Sequence, residues 1–339
     1  MALFSLHELL ADAHHNGYAI PAFNVSFQEQ IRAVLDAAEE TNSPVIIQLS
    51  TGGLTHIQNY LFQGLLDDIH RSPLPICLHR DHCHSIETFS QAISLGFSSI
   101  MMDGTLTEKG VPRSFEENVA ITQEACQLAK PHNISVEAEL GCLGSLETGL
   151  SGEEDGTEAQ GVLTTKQLLT DPEQASDYIS QVGAHALAIA IGTSHGAYKF
   201  SSPPNDSILD IPRVKAISEA IPSTPLVLHG SSSVPQELLK SINAFGGSTP
   251  KTYGVPVAAI QQAIQYGVAK VNIDTDLRLA ATAAIREYLT VNKSETDPRK
   301  YLHSAYLSMR NICEARYRAF GSANQAARIM RVYHEAIDA

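Results

Sequence analysis

The chain is predicted to fold as an α/β protein, a closed (β/α)8 TIM barrel with a C-terminal helical extension. Three observations predict it: eight short apolar runs recur along the 339 residues, amphipathic segments separate them, and a polar residue capable of chemistry stands at or just past the end of every run. Runs of four to eight apolar residues bounded by glycine, proline or polar residues read as strands buried on both faces, the pattern of a parallel sheet. Alternation of such strands with helices and no break in composition gives an α/β unit, and eight repeats close a barrel. A doubly wound open sheet is the alternative architecture. Residues 1–339 are read as one barrel domain, with terminal helices over about 301–339.

The strands are predicted at 19–23, 44–49, 75–79, 98–102, 135–140, 186–191, 225–229 and 269–273. Between the first two, Phe27, Ile31, Val34 and Leu35 repeat at helical spacing, and Ser26 with Glu29 three residues on reads as a capping box. Comparable helical stretches follow most other strands, among them 115–128 after the fourth and 235–242 after the seventh. Three regions depart from a minimal barrel. Residues 141–164 are rich in glycine, glutamate and threonine, long enough for a mobile lid. Residues 246–254 break the stretch after the seventh strand. A polar hinge at 292–298 precedes two terminal helices, 301–320 and 324–337, expected to cap the barrel or to meet a partner subunit.

A formal charge of −14 argues against nucleic-acid and anionic-membrane partners, while leaving room for a local basic pocket that takes a phosphorylated metabolite. The five cysteines are odd in number and irregularly spaced, and no CxxC pair occurs, so reduced thiols are expected rather than disulfides. The first ten residues lack a basic segment followed by a long apolar core, and no eighteen-residue apolar stretch appears. A cytoplasmic location is expected.

Barrel enzymes carry their chemistry at the C-terminal strand ends and in the loops that follow. In order, those ends offer Asn24, Ser50, Asp81 with His82, Asp103, Glu139, His195, His229, and Asn272 with Asp274. Any one of these is an ordinary way to end an apolar run; the whole set on one rim is not. Three neutral imidazoles around Zn²⁺ leave a fourth position open, the layout of a catalytic zinc, and His82, His195 and His229 are the expected ligands. Most other histidines lie in helical or loop patterns and read as solvated or hydrogen-bonded. His79 and His84 flank the proposed ligand and are candidates for orienting it. The segments from His229 through Gly230, Ser231, Ser232 and Ser233, and from Asn272 through Ile273, Asp274 and Thr275, supply backbone N–H groups and hydroxyls where barrels of this type bind phosphate. Lys199 would add a point charge there.

These segments resemble class II fructose-bisphosphate aldolases, in particular the form associated with bacterial and cyanobacterial carbon fixation. The resemblance is carried by Gly17-Tyr18-Ala19-Ile20-Pro21-Ala22-Phe23-Asn24, Val136-Glu137-Ala138-Glu139-Leu140-Gly141, Leu143-Gly144-Ser145-Leu146-Glu147-Thr148-Gly149, Gly192-Thr193-Ser194-His195-Gly196, His229-Gly230-Ser231-Ser232-Ser233 and Asn272-Ile273-Asp274-Thr275-Asp276. It implies Zn²⁺ on His82, His195 and His229, with Asp103 and Glu139 available to hold the metal in an alternative position. It implies Asp81 as the acid/base at the cleaved bond and Glu147, in the mobile loop, as the group that handles the proton on the other carbon. Gly196, Gly230, Ser231, Ser232 and the run from Asn272 to Thr275 would hold the phosphate of dihydroxyacetone phosphate, and Ser50 would meet the glyceraldehyde 3-phosphate half. Similar enzymes often bind a monovalent cation near the first phosphate, and form homodimers or homotetramers.

Two residues depart from the family pattern. Cys83 stands where glycine usually follows the zinc histidine, and Arg80 where a neutral residue is usual. If the backbone at Cys83 needs positive φ, its side chain is disfavoured, and a thiol beside the metal would bind it or oxidise. The alternatives are a tagatose- or sedoheptulose-bisphosphate aldolase, a Schiff-base enzyme using Lys270 or Lys199, neither of which closes a strand, and a non-catalytic sugar-phosphate sensor on the same barrel.

Overall fold

A computed structural model describes residues 3–146, 148–151, 159–196, 200, 202–204 and 208–337. Eight strands close into a barrel in sequence order. They are β1 Ile20–Asn24, β2 Val45–Leu49, β3 Ile76–Cys83, β4 Ser99–Met102, β5 Ser135–Leu140, β6 Ala186–Ile189, β7 Leu226–Leu228 and β8 Val268–Ile273. Every neighbouring pair is parallel, including the closing pair of β1 with β8. The open-sheet alternative is therefore excluded.

Outward side chains such as Phe23, Ile47, Leu78, Ile100, Val136, Leu187, Leu228 and Val271 join one large core under the helices. The interior is filled differently at its two ends. Ala22, Ile46, Cys77, Met101, Ala188, Val227 and Ala269 form an apolar lower plug, and the upper layers carry polar groups.

The lower plug is completed by a helix that the strand pattern did not reveal, Leu6–Asn16, started by a Ser5–Glu8 capping box. Its Leu6, Leu9, Leu10 and Ala13 enter the plug fully buried. Each buried leucine contributes about 1.5–3 kcal/mol. The last helix, Ala326–Ile337, holds this one in place: Arg328 pairs with Asp12 at 2.5 Å and Tyr333 packs on Phe4 at 4.7 Å.

The other terminal helix, Pro298–Ala319, packs on helices Gln28–Thr41 and Thr275–Val291. Tyr306 donates to Asp36 at 2.7 Å, and the Tyr317 ring meets Phe23 edge-on at 5.4 Å. The extension therefore covers the barrel wall at β1. No helix among the described residues is long and apolar enough to cross a membrane.

Two local expectations are corrected. Ser26 does not cap the first barrel helix, which begins at Gln28 with Phe27 in the N-cap position and no side-chain cap; Ser26 instead donates to the Gln30 side chain through its N–H at 2.9 Å and its hydroxyl at 3.0 Å. The third strand does not end at His79. Pairing with β4 continues through Arg80 opposite Ile100 and Cys83 opposite Met102, with a register shift between them. Polar side chains end an apolar run without ending a strand, because inward positions near a barrel mouth need no apolar group.

Candidate metal centre and active site

The register shift in β3 builds the site. Within it His82 takes φ 48°, a left-handed conformation uncommon for a non-glycine residue and frequent near functional sites. His82 thereby enters the mouth alongside Asp81. One ligand-type atom from each of His82, His195 and His229 lies within 4.8 Å of the others, and Nε2 of His82 is 3.1 Å from Nδ1 of His229. Gly230 makes this approach possible. At φ 61°, a Cβ there would sit 2.5 Å from the carbonyl oxygen of Ser194, so only glycine lets the turn after β7 pack against the loop that carries His195.

Beneath the histidines lies a group that strand-end reasoning missed. Glu137, wholly buried inside the barrel, meets Nε2 of His229 at 2.8 Å through one carboxylate oxygen, and its other oxygen lies 2.9 Å from Nζ of Lys270 and 3.6 Å from Nε2 of His79. His79 is tied by Nδ1 to the Ser99 hydroxyl at 2.8 Å. Burial alone would raise the Glu137 carboxyl, but Lys270, then the two imidazoles, hold it well below the usual carboxylate range. Burial and the nearby Lys270 push His79 down to about 3, so that ring is neutral. A carboxylate at Nε2 of His229 fixes the proton there and leaves Nδ1 turned toward Nε2 of His82, the arrangement in which acidic partners orient metal-binding imidazoles. The signal was present in the alternation of β5, where Ser135, Glu137 and Glu139 share the inward face.

Asp81 is also wholly buried. It accepts hydrogen bonds from Asn24 at 2.8 Å, Gln48 at 3.2 Å and Asn272 at 3.4 Å. Burial would raise its pKa, yet His82, His229 and Lys270 outweigh this and keep the carboxyl well below its ordinary value. The predicted strand-end residues Asn24 and Asn272 thus converge on a predicted acid/base. Gln48, inward on β2, was not foreseen.

Asp103 and Glu139 line the same mouth. Asp103 accepts from the Thr105 N–H at 3.0 Å and hydroxyl at 2.6 Å through Oδ1, and its Oδ2 lies 3.3 Å from Nδ1 of His82. Burial and then Asp103 push Glu139 well above its usual range, and one of its carboxylate oxygens is buried without a hydrogen bond among the described residues. Asp81, Asp103 and Glu139 also outweigh burial at His82, raising it to about 10. The same negative field that favours a proton on His82 favours a divalent cation among the three imidazoles. Neutralisable imidazoles, closely set carboxylates and an orphaned buried oxygen together suit a metal ion.

The loops after β7 and β8, where the sequence predicts a phosphate site, are joined to each other. Ser232 accepts the backbone N–H of Asp274 at 3.2 Å, and Thr275 opens the helix that follows β8. Ser231 is turned to its own strand end, donating to the His229 carbonyl at 3.1 Å. The Ile273 side chain belongs to the outer core, so only its backbone faces this region.

Sequence reasoning also missed what holds this loop. Asp276 accepts from the Ser233 N–H at 3.1 Å, its hydroxyl at 3.0 Å and the Val234 N–H at 2.8 Å, and pairs with Arg316 of the C-terminal extension at 2.9 Å. Val234, β-branched, is thereby kept at φ 48°, a strained backbone worth on the order of 1–3 kcal/mol.

Other expectations fare unevenly. Ser50 caps the helix Thr51–Arg71, its hydroxyl accepting the Gly53 N–H at 3.3 Å. Gly196 is exposed in the turn beyond His195. Glu147 and Lys199 lie outside the described residues. Cys83 needs no positive φ, because that conformation falls on His82; its side chain is buried in the outer core, where desolvation raises the thiol. Oxidant sensitivity at a metal-facing thiol is therefore not expected. Arg80 also points outward. It donates to the Leu49 carbonyl at 3.0 Å and the Thr51 hydroxyl at 2.8 Å, tying β3 to the helix after β2. Lys270 is buried and paired with Glu137, which makes it a poor Schiff-base nucleophile.

A match to the protein family described as "Fructose-bisphosphate aldolase class-II" spans residues 4–325, which takes in the whole barrel and the first of the two terminal helices. The chain belongs to this family. Among its relatives, the fructose-bisphosphate aldolase of Stutzerimonas stutzeri is 54% identical over 332 residues, covering 97% of this chain and 94% of that one. The fructose-bisphosphate aldolase of Pseudomonas aeruginosa is 53% identical over the same length, with the same coverage. Among solved structures, the YdjI aldolase from Escherichia coli K12 superposes with a TM-score of 0.72 at 29% identity, covering 96% of this chain and all of that one. Membership of a class II aldolase family thus goes together with a histidine cluster at the barrel mouth whose geometry could hold a metal ion.

Proposed function

We propose that this class II aldolase cleaves fructose 1,6-bisphosphate reversibly to dihydroxyacetone phosphate and glyceraldehyde 3-phosphate, in the form of the family associated with carbon fixation. The observation that carries the reading is the convergence of His82, His195 and His229 beside the buried carboxylate of Asp81. His82, His195 and His229 would hold zinc, with Asp103 and Glu139 as alternative ligands. When bound, zinc supplies a Lewis acid for the ketose carbonyl.

The remaining work falls to side chains. Asp81, fixed by Asn24, Gln48 and Asn272, takes the proton of the C4 hydroxyl as the C3–C4 bond breaks. The C4–O bond becomes the carbonyl of the aldehyde product, and the electron pair of the broken bond stays with the ketose half. Glu147 then delivers a proton to C3 of that half. Gly196, Lys199, the Gly230–Ser232 turn and the Asn272–Thr275 segment hold the ketose phosphate, and Ser50 stands on the aldehyde side. The assembly we expect is a homodimer or homotetramer.

A coupled retro-aldol assay on three ketose bisphosphates tests this. Fructose 1,6-bisphosphate should be cleaved with the highest kcat/KM. Higher values with the tagatose or sedoheptulose bisphosphate would reassign the substrate, and binding of all three without turnover would make the protein a sensor.

A further inference from the structure

The turn after β7 divides its backbone donors between two uses. Among the described residues, no acceptor meets the N–H of Ser231 or of Ser232. The next two N–H groups, of Ser233 and Val234, are given to the carboxylate of Asp276 at 3.1 and 2.8 Å. The turn thus carries an anion of its own on one half and offers the other half to the proposed ketose phosphate.

Asp276 could not serve there alone. It is fully buried, and an unpaired carboxylate beside the open N–H pair would repel a phosphate. Arg316, in the last turn of the helix Pro298–Ala319, cancels that charge. Its Nη2 donates to Asp276 at 2.9 Å and to the Ser233 hydroxyl at 2.5 Å. The Arg316 side chain is itself buried, so the pair is made out of water, where taking away one partner is costly. The grip also works against the backbone: Val234, β-branched, stands at φ 48°, and without Asp276 held in place the turn has lower-energy conformations to relax into. On the opposite side the N–H of Val255 donates to the Ser232 carbonyl at 3.1 Å, and a Cβ at Gly254 would collide with that carbonyl.

We infer that Arg316 is a positioning residue for phosphate binding, through which the C-terminal extension holds the turn after β7 in its anion-binding form. It touches neither phosphate nor reacting atoms; it acts through Asp276 and Ser233. The inference rests on the proposed aldolase reading, from which the phosphate site comes, and adds to it a part for the extension.

The test measures binding of dihydroxyacetone phosphate to zinc-loaded protein by isothermal titration calorimetry, with urea unfolding on the same samples. R316M, which leaves Asp276 both unpaired and loosened, should raise Kd by about 10-fold or more, the scale of one hydrogen bond to a charged group. D276N/R316M has no buried charge left unpaired but has lost the grip, and should bind about 3–10-fold more weakly than wild type, the scale of a neutral hydrogen bond. In cleavage of fructose 1,6-bisphosphate by R316M, KM should rise while kcat stays within about twofold, because the contact is lost from ground state and transition state alike. A general loosening of the fold would not divide the two constants in this way. If R316M does not fold, D276N/R316M carries the same test. Wild-type affinity in the folded variant, or a fall in kcat with KM unchanged, overturns the inference and leaves the aldolase reading standing. Wild-type protein that binds no dihydroxyacetone phosphate overturns both.

Discussion

Replacing Asp81 by asparagine is expected to lower kcat for retro-aldol cleavage by about 10²–10⁴-fold, the usual range for losing a positioned acid/base. Asparagine keeps the size of the side chain and can still meet the amides of Gln48 and Asn272, but it cannot take the C4 hydroxyl proton. Metal content should stay at the wild-type value, since Asp81 is not one of the three histidine donors. Steady-state kinetics with metal analysis on the same sample checks both halves. A variant that loses activity and metal together would make Asp81 a ligand rather than a base.

Glu137→Gln is expected to act on two quantities at once. It leaves Lys270 buried without its carboxylate, and breaking one partner of a buried ion pair costs about 3–5 kcal/mol. It also removes the anion that fixes Nε2 of His229, and losing such an orienting partner weakens metal binding about 10–100-fold. The two effects separate in the double variant E137Q/K270M. Removing both charges should restore much of the stability measured by urea unfolding, while the metal affinity measured against a competing chelator stays low. Recovery of both would show that Glu137 serves only the barrel interior.

Much of the barrel was legible because its physics is local. Strands buried on both faces must be apolar, so β2, β6 and β7 stand out as runs, and the residues that end the strands fall on one rim because all eight run parallel. The three histidines and Asp81 were legible for that reason. What escaped lay deeper. Glu137 and Lys270 sit inside strands rather than at their ends, and an inward charge one layer down shows in the chain only as an interruption of an apolar run. Their meaning is set by pairing across the barrel, 133 residues apart in the chain. Arg316 with Asp276 is the same case, a long-range pair whose members each look like ordinary helix-surface residues.

The length of β3 is not legible in its apolar pattern for a related reason. The apolar signal stops at Leu78 while backbone pairing runs on to Cys83, and the shift in that extension carries His82 into the mouth. The positive φ raised as a condition for Cys83 falls one residue earlier, on His82. Arg80 and Cys83, conspicuous as departures from the family pattern, face outward and serve the join between sheet and helices. The helix Leu6–Asn16 was hidden because it precedes the first strand, outside the β/α repeat that guided the reading.

The central claim is that three imidazoles, from β3, the turn after β6 and the end of β7, hold one ion on which aldol cleavage depends. The most direct measurement follows bound zinc and retro-aldol rate in the same preparation as the metal is stripped by a chelator and returned. Activity should fall in proportion to zinc lost and recover as zinc is restored, with wild-type protein binding at the His82, His195 and His229 centre. Undiminished cleavage by metal-free protein would contradict the account.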